Sequence, residues 1–352
     1  GLDGGRVASV RDIASEHRVS IVTAARALRL LRDRGLVRTV ARSGCFVAAG
    51  RTAAAEQWAL CQRVTSGTWQ RASASLFRTG FEAAARKQGF TFLPDLLAID
   101  ADATAADLRR QVAAAAAAGV GGVFFLPSRV SEAALKQDET FLHACRAANL
   151  PVVLLERNLR GTGRPLERDL VASDDAEGGL LCTRHLLDIG RRRVAFVTGS
   201  PCSSHDDRVA GYLLAMHQAG AAADWRPEVL VQPAGLSEAQ THRDLADRVL
   251  DLRADGVICY EDYTALGLIL ELLARGVRVP GDVAVAGFDD LPIGSAFTVG
   301  VTTYALAYDR ITRHALRVMR ERVRHPDRRP VKVVVPGRLV VRESTAGVRN
   351  CP

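Results

Sequence analysis

The 352-residue chain lacks several things, and each absence removes a class of protein. No run of about 18 apolar residues occurs, so no membrane-spanning helix is expected and a bilayer is not an expected partner. The first residues, GLDGGRVASVRDIASEHR, lack the apolar core of a secretory signal. They also lack Met, so the natural start is expected to have been trimmed or lost. The seven cysteines (Cys45, Cys61, Cys145, Cys182, Cys202, Cys259 and Cys351) are odd in number and form no C-x-x-C pair. That argues against a zinc site and a disulfide framework, and fits buried thiols in a reducing cytoplasm. The nearest approach to a metal motif is His205-Asp206-Asp207, which has no second ligand cluster and reads as a loop. No metal or cofactor is expected, and no sequence repeat is strong enough to imply duplication.

What is present begins with an apolar content of 48%, enough for sizeable cores in a length that suits two or three domains. Charge is unevenly spread. Of the net +8, residues 1–51 hold +6, from ten Arg, no Lys and four acids (Asp3, Asp12, Glu16, Asp33). A basic head on a near-neutral body points to a polyanionic partner. Arginine that merely solvates a small helical domain is the alternative.

In the head, Ser9 is placed to cap a helix through Arg18. Ser20 caps a second helix, with Ala24, Ala27, Leu28 and Leu31 at i, i+3, i+4, i+7 spacing. Leu36 to Val40 and Cys45 to Ala48 read as a hairpin around Ser43-Gly44. Two helices and a two-stranded wing over residues 1–48 make a winged helix-turn-helix, whose second helix enters the DNA major groove. Residues 49–57 read as a linker and 346–352 as a tail.

The body, 58–345, alternates strand and helix. Its clearest unit is DGVICYEDYTALGLILELLARGVRVPGDVAVAGFDD at 255–290, a βαβ pattern with acids after both strands: Glu261-Asp262 and Asp289-Asp290. Alternation of this kind predicts an α/β fold of doubly wound parallel sheets in two lobes. Ser128-Arg129, Glu156-Arg157-Asn158 and Ser200 to Arg208 follow other strands. Ligands bind at the carboxyl ends of such strands, so these groups are expected to share one cleft. Carboxylates accepting O–H groups, Arg donating to oxygens and an aromatic such as Trp69 suit a small hydroxyl-rich ligand. Trp69 lies in TSGTWQRASAS, which reads as a polar loop.

Residues 10–47 resemble the winged-helix domain of the GntR family at Ser20, Thr23, Ala27-Leu28, Leu31, Gly35-Leu36-Val37, Gly44 and Phe46-Val47. That family usually carries Arg where this chain has Ile21 and Ala25, and a helix before residue 9 that is largely absent here. Arg reads guanine, whereas apolar side chains contact the thymine methyl. Ile21, Val22 and Ala25 are therefore expected to favour T-containing steps, with Ser20 and Thr23 also expected among the DNA-binding residues. Arg26, Arg29, Arg38 and Arg42 are expected on phosphates. A vestigial head, with Ile21 and Val22 packed against something, is the alternative.

The body resembles the effector domain of the LacI/GalR family, itself similar to periplasmic sugar-binding proteins. The likeness rests on SDDAEGGLLCTRHLLDIGRRRVAFVTG at 173–199, Arg208 with Gly211-Tyr212, the 254–290 stretch, Thr302-Thr303 and LVVREST at 339–345. It implies two lobes joined by three crossovers, a cleft ligand and a homodimer. It also implies that Arg208 and Asp289 clamp the ligand. Glu261 stands where the family often has Asn, and Glu156 where a polar contact occurs. The family's aromatic wall is replaced by Gly235-Leu236, and Trp69 is a candidate substitute. Asp262 is expected to cap its helix and Tyr212 to pack.

A GntR-like head on a LacI-like body resembles arabinose-repressor-type regulators. The reading is thus a cytoplasmic, ligand-responsive repressor binding a double-stranded operator and a carbohydrate. A cytoplasmic sugar-binding protein with a dead head is the alternative. Catalysis is not expected; the acids alone suggest a glycoside-hydrolase pair, and nothing else supports one.

Overall fold

The computed structural model describes residues 7–33, 37–40, 44–47, 56–63, 68–220, 225–233, 235–295 and 298–346. Two compact units divide the chain, Gly1–Glu56 and Gln57–Pro352.

In the first unit, α1 (Val10–Glu16) opens on a capping box. Asp12 N–H donates to Ser9 Oγ at 3.2 Å and Ser9 N–H to Asp12 Oδ2 at 3.1 Å. This helix stops two residues short of Arg18, which takes a left-handed φ of 51°. Next, α2 (Ile21–Asp33) is capped by Ser20, whose Oγ accepts Thr23 N–H at 3.0 Å. Its inner face is narrower than the spacing predicts: Ala24 and Leu28 are buried, while Ala27 is exposed. An antiparallel hairpin follows, β1 (Val37–Val40) with β2 (Gly44–Val47), and Val37 lies opposite Val47. Val7 N–H donates to Cys45 O at 2.8 Å, tying the start of the unit to the hairpin.

The second unit has two sheets. The first lobe contains β3 (Gln57–Arg63), α3 (Thr68–Gln88), β4 (Thr91–Ile99), α4 (Ala105–Ala117), β5 (Gly122–Phe125), α5 (Glu132–Ala147), β6 (Val152–Leu155) and β7 (Asp169–Ser173). The second contains α6 (Asp175–Asp188), β8 (Val194–Thr198), α7 (Ser203–Ala219), β9 (Glu228–Val231), α8 (Glu238–Asp251), β10 (Gly256–Cys259), α9 (Asp262–Ala274), β11 (Ala284–Phe288) and β12 (Thr302–Ala305). The chain then returns to the first lobe for α10 (Tyr308–Arg324) and β13 (Lys332–Val335), and ends in the second with β14 (Arg338–Val340). Lobe one has strand order β4-β3-β5-β6-β7-β13, all parallel. Lobe two is β9-β8-β10-β11-β12-β14, parallel but for its last pair. The connections cross between lobes after β7, β12 and β13, which is the two-lobed α/β architecture expected.

Both faces of the first sheet are covered, which is why its strands read as continuous apolar runs. Leu108, Val112, Phe141 and Leu142 of α4 and α5 fill one side; Phe77, Phe81, Ile311 and Met319 of α3 and α10 fill the other. Trp69 is a correction: it sits in the first turn of α3, not in a loop. The run TWQRASAS is polar but free of Pro and Gly, so nothing stops the helix from extending outward from its apolar half.

Two glycines set the site. A Cβ on Gly179 would lie 2.0 Å from Arg208 O, and one on Gly211 would lie 2.0 Å from Ala176 O. The backbones of α6 and α7 therefore touch, and that contact carries Arg208 of α7 onto Asp175 of α6. Tyr212 packs as expected: fully buried, it donates to Val194 O at 2.8 Å and accepts Glu228 N–H at 3.0 Å.

Candidate functional site

The carboxyl ends of the parallel strands meet between the lobes of the second unit. Arg129 follows β5, Glu156 and Arg157 follow β6, His205 and Arg208 lie in the first turns of α7, Tyr260 and Glu261 follow β10, and Asp289 follows β11. All but Asp289 are nine-tenths buried, and the Asp289 side chain is 13% exposed.

Arg208 is the hub. Its Nε donates to Asp175 Oδ1 at 2.7 Å, Nη2 donates to Asp289 Oδ1 at 3.2 Å, and Nη1 donates to Tyr260 O. Its guanidinium carbon stands 4.3 Å from the centre of the Phe288 ring. Arg129 spans the lobes. Its Nη2 donates to Glu261 Oε2 at 3.1 Å and its Nη1 lies 3.1 Å from His205 Nε2. Since Arg only donates, that nitrogen of His205 must be the acceptor, and the ring is neutral. Arg157 pairs with Glu156 and donates to Pro127 O at 2.9 Å. The space left among these groups is about 20 Å³, room for about one water.

Burial dominates the electrostatics. It raises Asp175 to about 7 and Asp289 to about 6, with Arg208 opposing the shift in each. Burial and the cations of Arg129, Arg208 and Arg157 hold His205 well below its ordinary range. Burial opposes the charge on Arg129, but Glu261, with smaller contributions from its other neighbours including Asp289, together outweighs that loss of solvent, and the guanidinium stays charged. Backbone strain marks the same place. Six non-glycine residues have positive φ among the described residues: Arg18, Asn149 and Arg253 follow helices, where a left-handed cap is ordinary. The others are Glu156 (67°), Asp289 (96°) and Asp290 (53°), at the ends of strands in the cleft.

The structure therefore brings Arg208, Asp289, Glu261 and Glu156 together, and leaves Trp69 placed only by its backbone in α3. Arg208 does not pair with Asp206 or Asp207. Asp262 is a correction: the cap position belongs to Glu261, which makes no side-chain cap bond. Asp262 instead accepts Leu291 N–H at 2.8 Å, anchoring the loop after β11. His205-Asp206-Asp207 is a helical turn, not a loop. His185 is at its helix end but half-buried, 2.7 Å from Thr345 Oγ1. Strand ends point to Arg129, Arg157 and His205 as cleft groups without singling them out, and do not point to Asp175 or Tyr260. Asp175 was legible only through the Gly179–Gly211 contact, which no local pattern announces.

In the first unit, Ile21, Val22, Thr23, Arg26 and Arg29 are exposed and Ala25 is half-buried. Val22, Arg26 and Arg29 share one face of α2, at spacings of four and three. Ser20 is committed to the cap. Arg38 lies in β1, and Arg42 lies outside the described residues.

Residues 183–345, just under half the chain, match the family model described as a periplasmic binding protein-like domain. The PurR repressor of Vibrio atlanticus is 27% identical over 52% of this chain and 53% of its own length. That of Mannheimia succiniciproducens is 29% identical over 55% and 57%. The chain thus spans about half the length of the curated relatives it matches. The structure of the regulator CelR with cellobiose superposes with a TM-score of 0.65 at 24% identity, covering 96% of this chain and 100% of that one. A LacI family regulator from Enterococcus faecium with bound ribose gives 0.60 at 22%, covering 81% and 97%. These likenesses establish the fold. The relatives named are PurR repressors and one of the structures is a LacI family regulator, so the GntR likeness of the head finds no counterpart among them. Among the described residues no helix is long and apolar enough to cross a membrane.

Proposed function

We propose that this chain is a ligand-responsive transcription regulator of the LacI/GalR type, acting as a repressor. Its body senses a sugar or sugar derivative in the interlobe cleft, and its head holds a double-stranded operator. The observation that carries the reading is the convergence of buried, strained, charged groups from both lobes on the Arg208–Asp289 pair. Structural packing alone gives no reason to gather them there. The relatives' role as repressors supports the operator. The hairpin after α2 supports a winged shape for that head, and the exposed face of Val22, Arg26 and Arg29 supports its contact with DNA.

Mechanism follows from linkage. A ligand that binds one arrangement of the lobes more tightly shifts the population toward it, and operator affinity changes reciprocally. Two heads of a cytoplasmic homodimer would read a two-fold symmetric operator. The test is binding of the purified chain to its own upstream DNA across a salt series, with and without sugars. Tight, salt-steep, sequence-selective binding that a sugar alters is the expected result. Binding equal on random DNA would favour a sugar-binding protein with a vestigial head.

A further inference from the structure

The cleft proper is nearly full, but a chamber of about 320 Å³ opens beside it. That volume falls within the range of small-molecule pockets, roughly 300–1,000 Å³. The two spaces share Arg129, Tyr260 and Glu261 as a common wall. Everything else lining the chamber belongs to the second lobe, save Val130. Leu236 and Val130, 42% and 51% exposed, face it from opposite lobes, so its apolar rim has one half on each.

Its walls have a definite chemistry. A chain of hydrogen bonds runs from Tyr260 Oη to Gln232 Oε1 (2.9 Å), from Gln232 Nε2 to Thr264 Oγ1 (3.2 Å), and from Thr264 Oγ1 to Glu261 Oε1 (3.2 Å). Tyr263 offers a half-buried aromatic ring, and His242 stands beside it. Gly267 makes room for that imidazole: a Cβ there would come within 2.2 Å of the ring. Burial holds His242 below its ordinary range, so it is neutral near pH 7. The charged lining groups are Glu238, Glu261 and Arg129, and Arg129 is already held by Glu261. An anionic ligand group would meet two carboxylates and a cation that is already engaged. Hydroxyl groups, by contrast, find acceptors and donors along the polar wall, and an apolar ring face finds Tyr263.

We infer that the chamber is the second half of the effector site and that the effector is an uncharged, two-ring, hydroxyl-rich molecule. One ring occupies the Arg208–Asp289 end as the lobes part, and the other lies on Tyr263. The inference rests on the sugar-sensor reading above and adds ligand size and charge to it.

A thermal-shift panel on the full chain tests both. The probes are neutral monosaccharides (glucose, galactose, ribose), neutral disaccharides (cellobiose, maltose, lactose, sucrose, trehalose), glucose 6-phosphate and hypoxanthine. A disaccharide should stabilise most, and calorimetry should show it binding at least tenfold tighter than its component sugars. Tyr263→Ala should weaken that binding tenfold or more while leaving the component sugars within twofold, and Tyr263→Phe should restore it. A monosaccharide or glucose 6-phosphate as strongest ligand would overturn the two-ring inference and leave the sugar sensor standing. Disaccharide binding indifferent to Tyr263→Ala would also overturn it. Hypoxanthine as strongest ligand, or no response from any probe, would sink the sugar-sensor reading and the inference with it.

Discussion

Two regions reverse the usual sorting of side chains, in opposite directions. The head exposes apolar residues, with Ile21 at 58% and Val22 at 77%. The cleft buries charges, with Arg208 and Glu261 at 4% and Glu156 at 3%. Exposed β-branched residues at the start of α2 gain nothing until a partner covers them. Buried ions lose solvation and are tolerated only while paired. Each region thus gives up stability in the free protein, as the proposed binding of DNA and ligand would require. The difference is in how each would be kept ready under the proposed function: the head leaves its surface bare, whereas the cleft satisfies its groups with one another in the free protein.

If that contrast is right, the cleft should be far more sensitive to substitution than the head. Arg208→Ala would leave Asp175 and Asp289 buried without their cation. A loss of about 3–5 kcal/mol in urea unfolding is expected, together with loss of any effector response. Retention of full stability would mean that the buried network is not as tightly paired as its distances imply. Gly211→Ala should come next, at about 1–3 kcal/mol, because a methyl must be forced against the Ala176 carbonyl. Its effect on ligand affinity should exceed that of any surface change, since it moves α7 and Arg208 with it.

The cleft also predicts a pH dependence. Asp175 and Asp289 titrate near 7 and 6 when folded, above the ordinary 3.8. Between about pH 4 and 7 the folded state binds more protons than the unfolded state, so this contribution to stability falls as pH rises. Denaturant melts at pH 5 and pH 7.5 should differ in that direction, on the order of a kcal/mol or more. Asp175→Asn should flatten the difference, and an unchanged slope would count against buried, raised carboxylates.

The comparison also shows what sequence can and cannot disclose. The βαβ unit at 255–290 was legible because its period, caps and breakers agree. So was the gathering of Glu156, Glu261 and Asp289, because parallel strands end on one side. By contrast β4 was missed: Pro94 and partial exposure disguise an edge strand, and its partner β3 changes register between Ala59 and Cys61. The crossover helix α10 does carry a readable stripe, since Ile311, Ala315, Leu316 and Met319 fall on one face at spacings of three and four with Arg-rich residues on the other; what its sequence does not announce is the return to the first lobe. At the site, Arg129–Glu261 is a contact between lobes 132 residues apart in sequence, and no local pattern encodes it. Asp262 looked like a cap because acids often are, yet the loop after β11 claims it.

The head should respond to smaller changes, and through DNA rather than stability. Arg26→Ala with Arg29→Ala should lower the salt slope of DNA binding by about 1.8 if each arginine neutralises one phosphate. The gentlest test is Ile21→Ser with Val22→Ser. Neither side chain is spent on packing in this structure, so unfolding free energy should change by no more than about 0.5 kcal/mol. Discrimination in favour of T-containing sites should nonetheless fall by roughly 1 kcal/mol, because the apolar contact with the thymine methyl is gone. The double variant separates the two accounts of the head. Unchanged stability with lost selectivity would make Ile21 and Val22 reading residues. A loss of stability greater than about 1 kcal/mol, with DNA binding unaltered, would mean that they pack against something in solution, as a vestigial head requires.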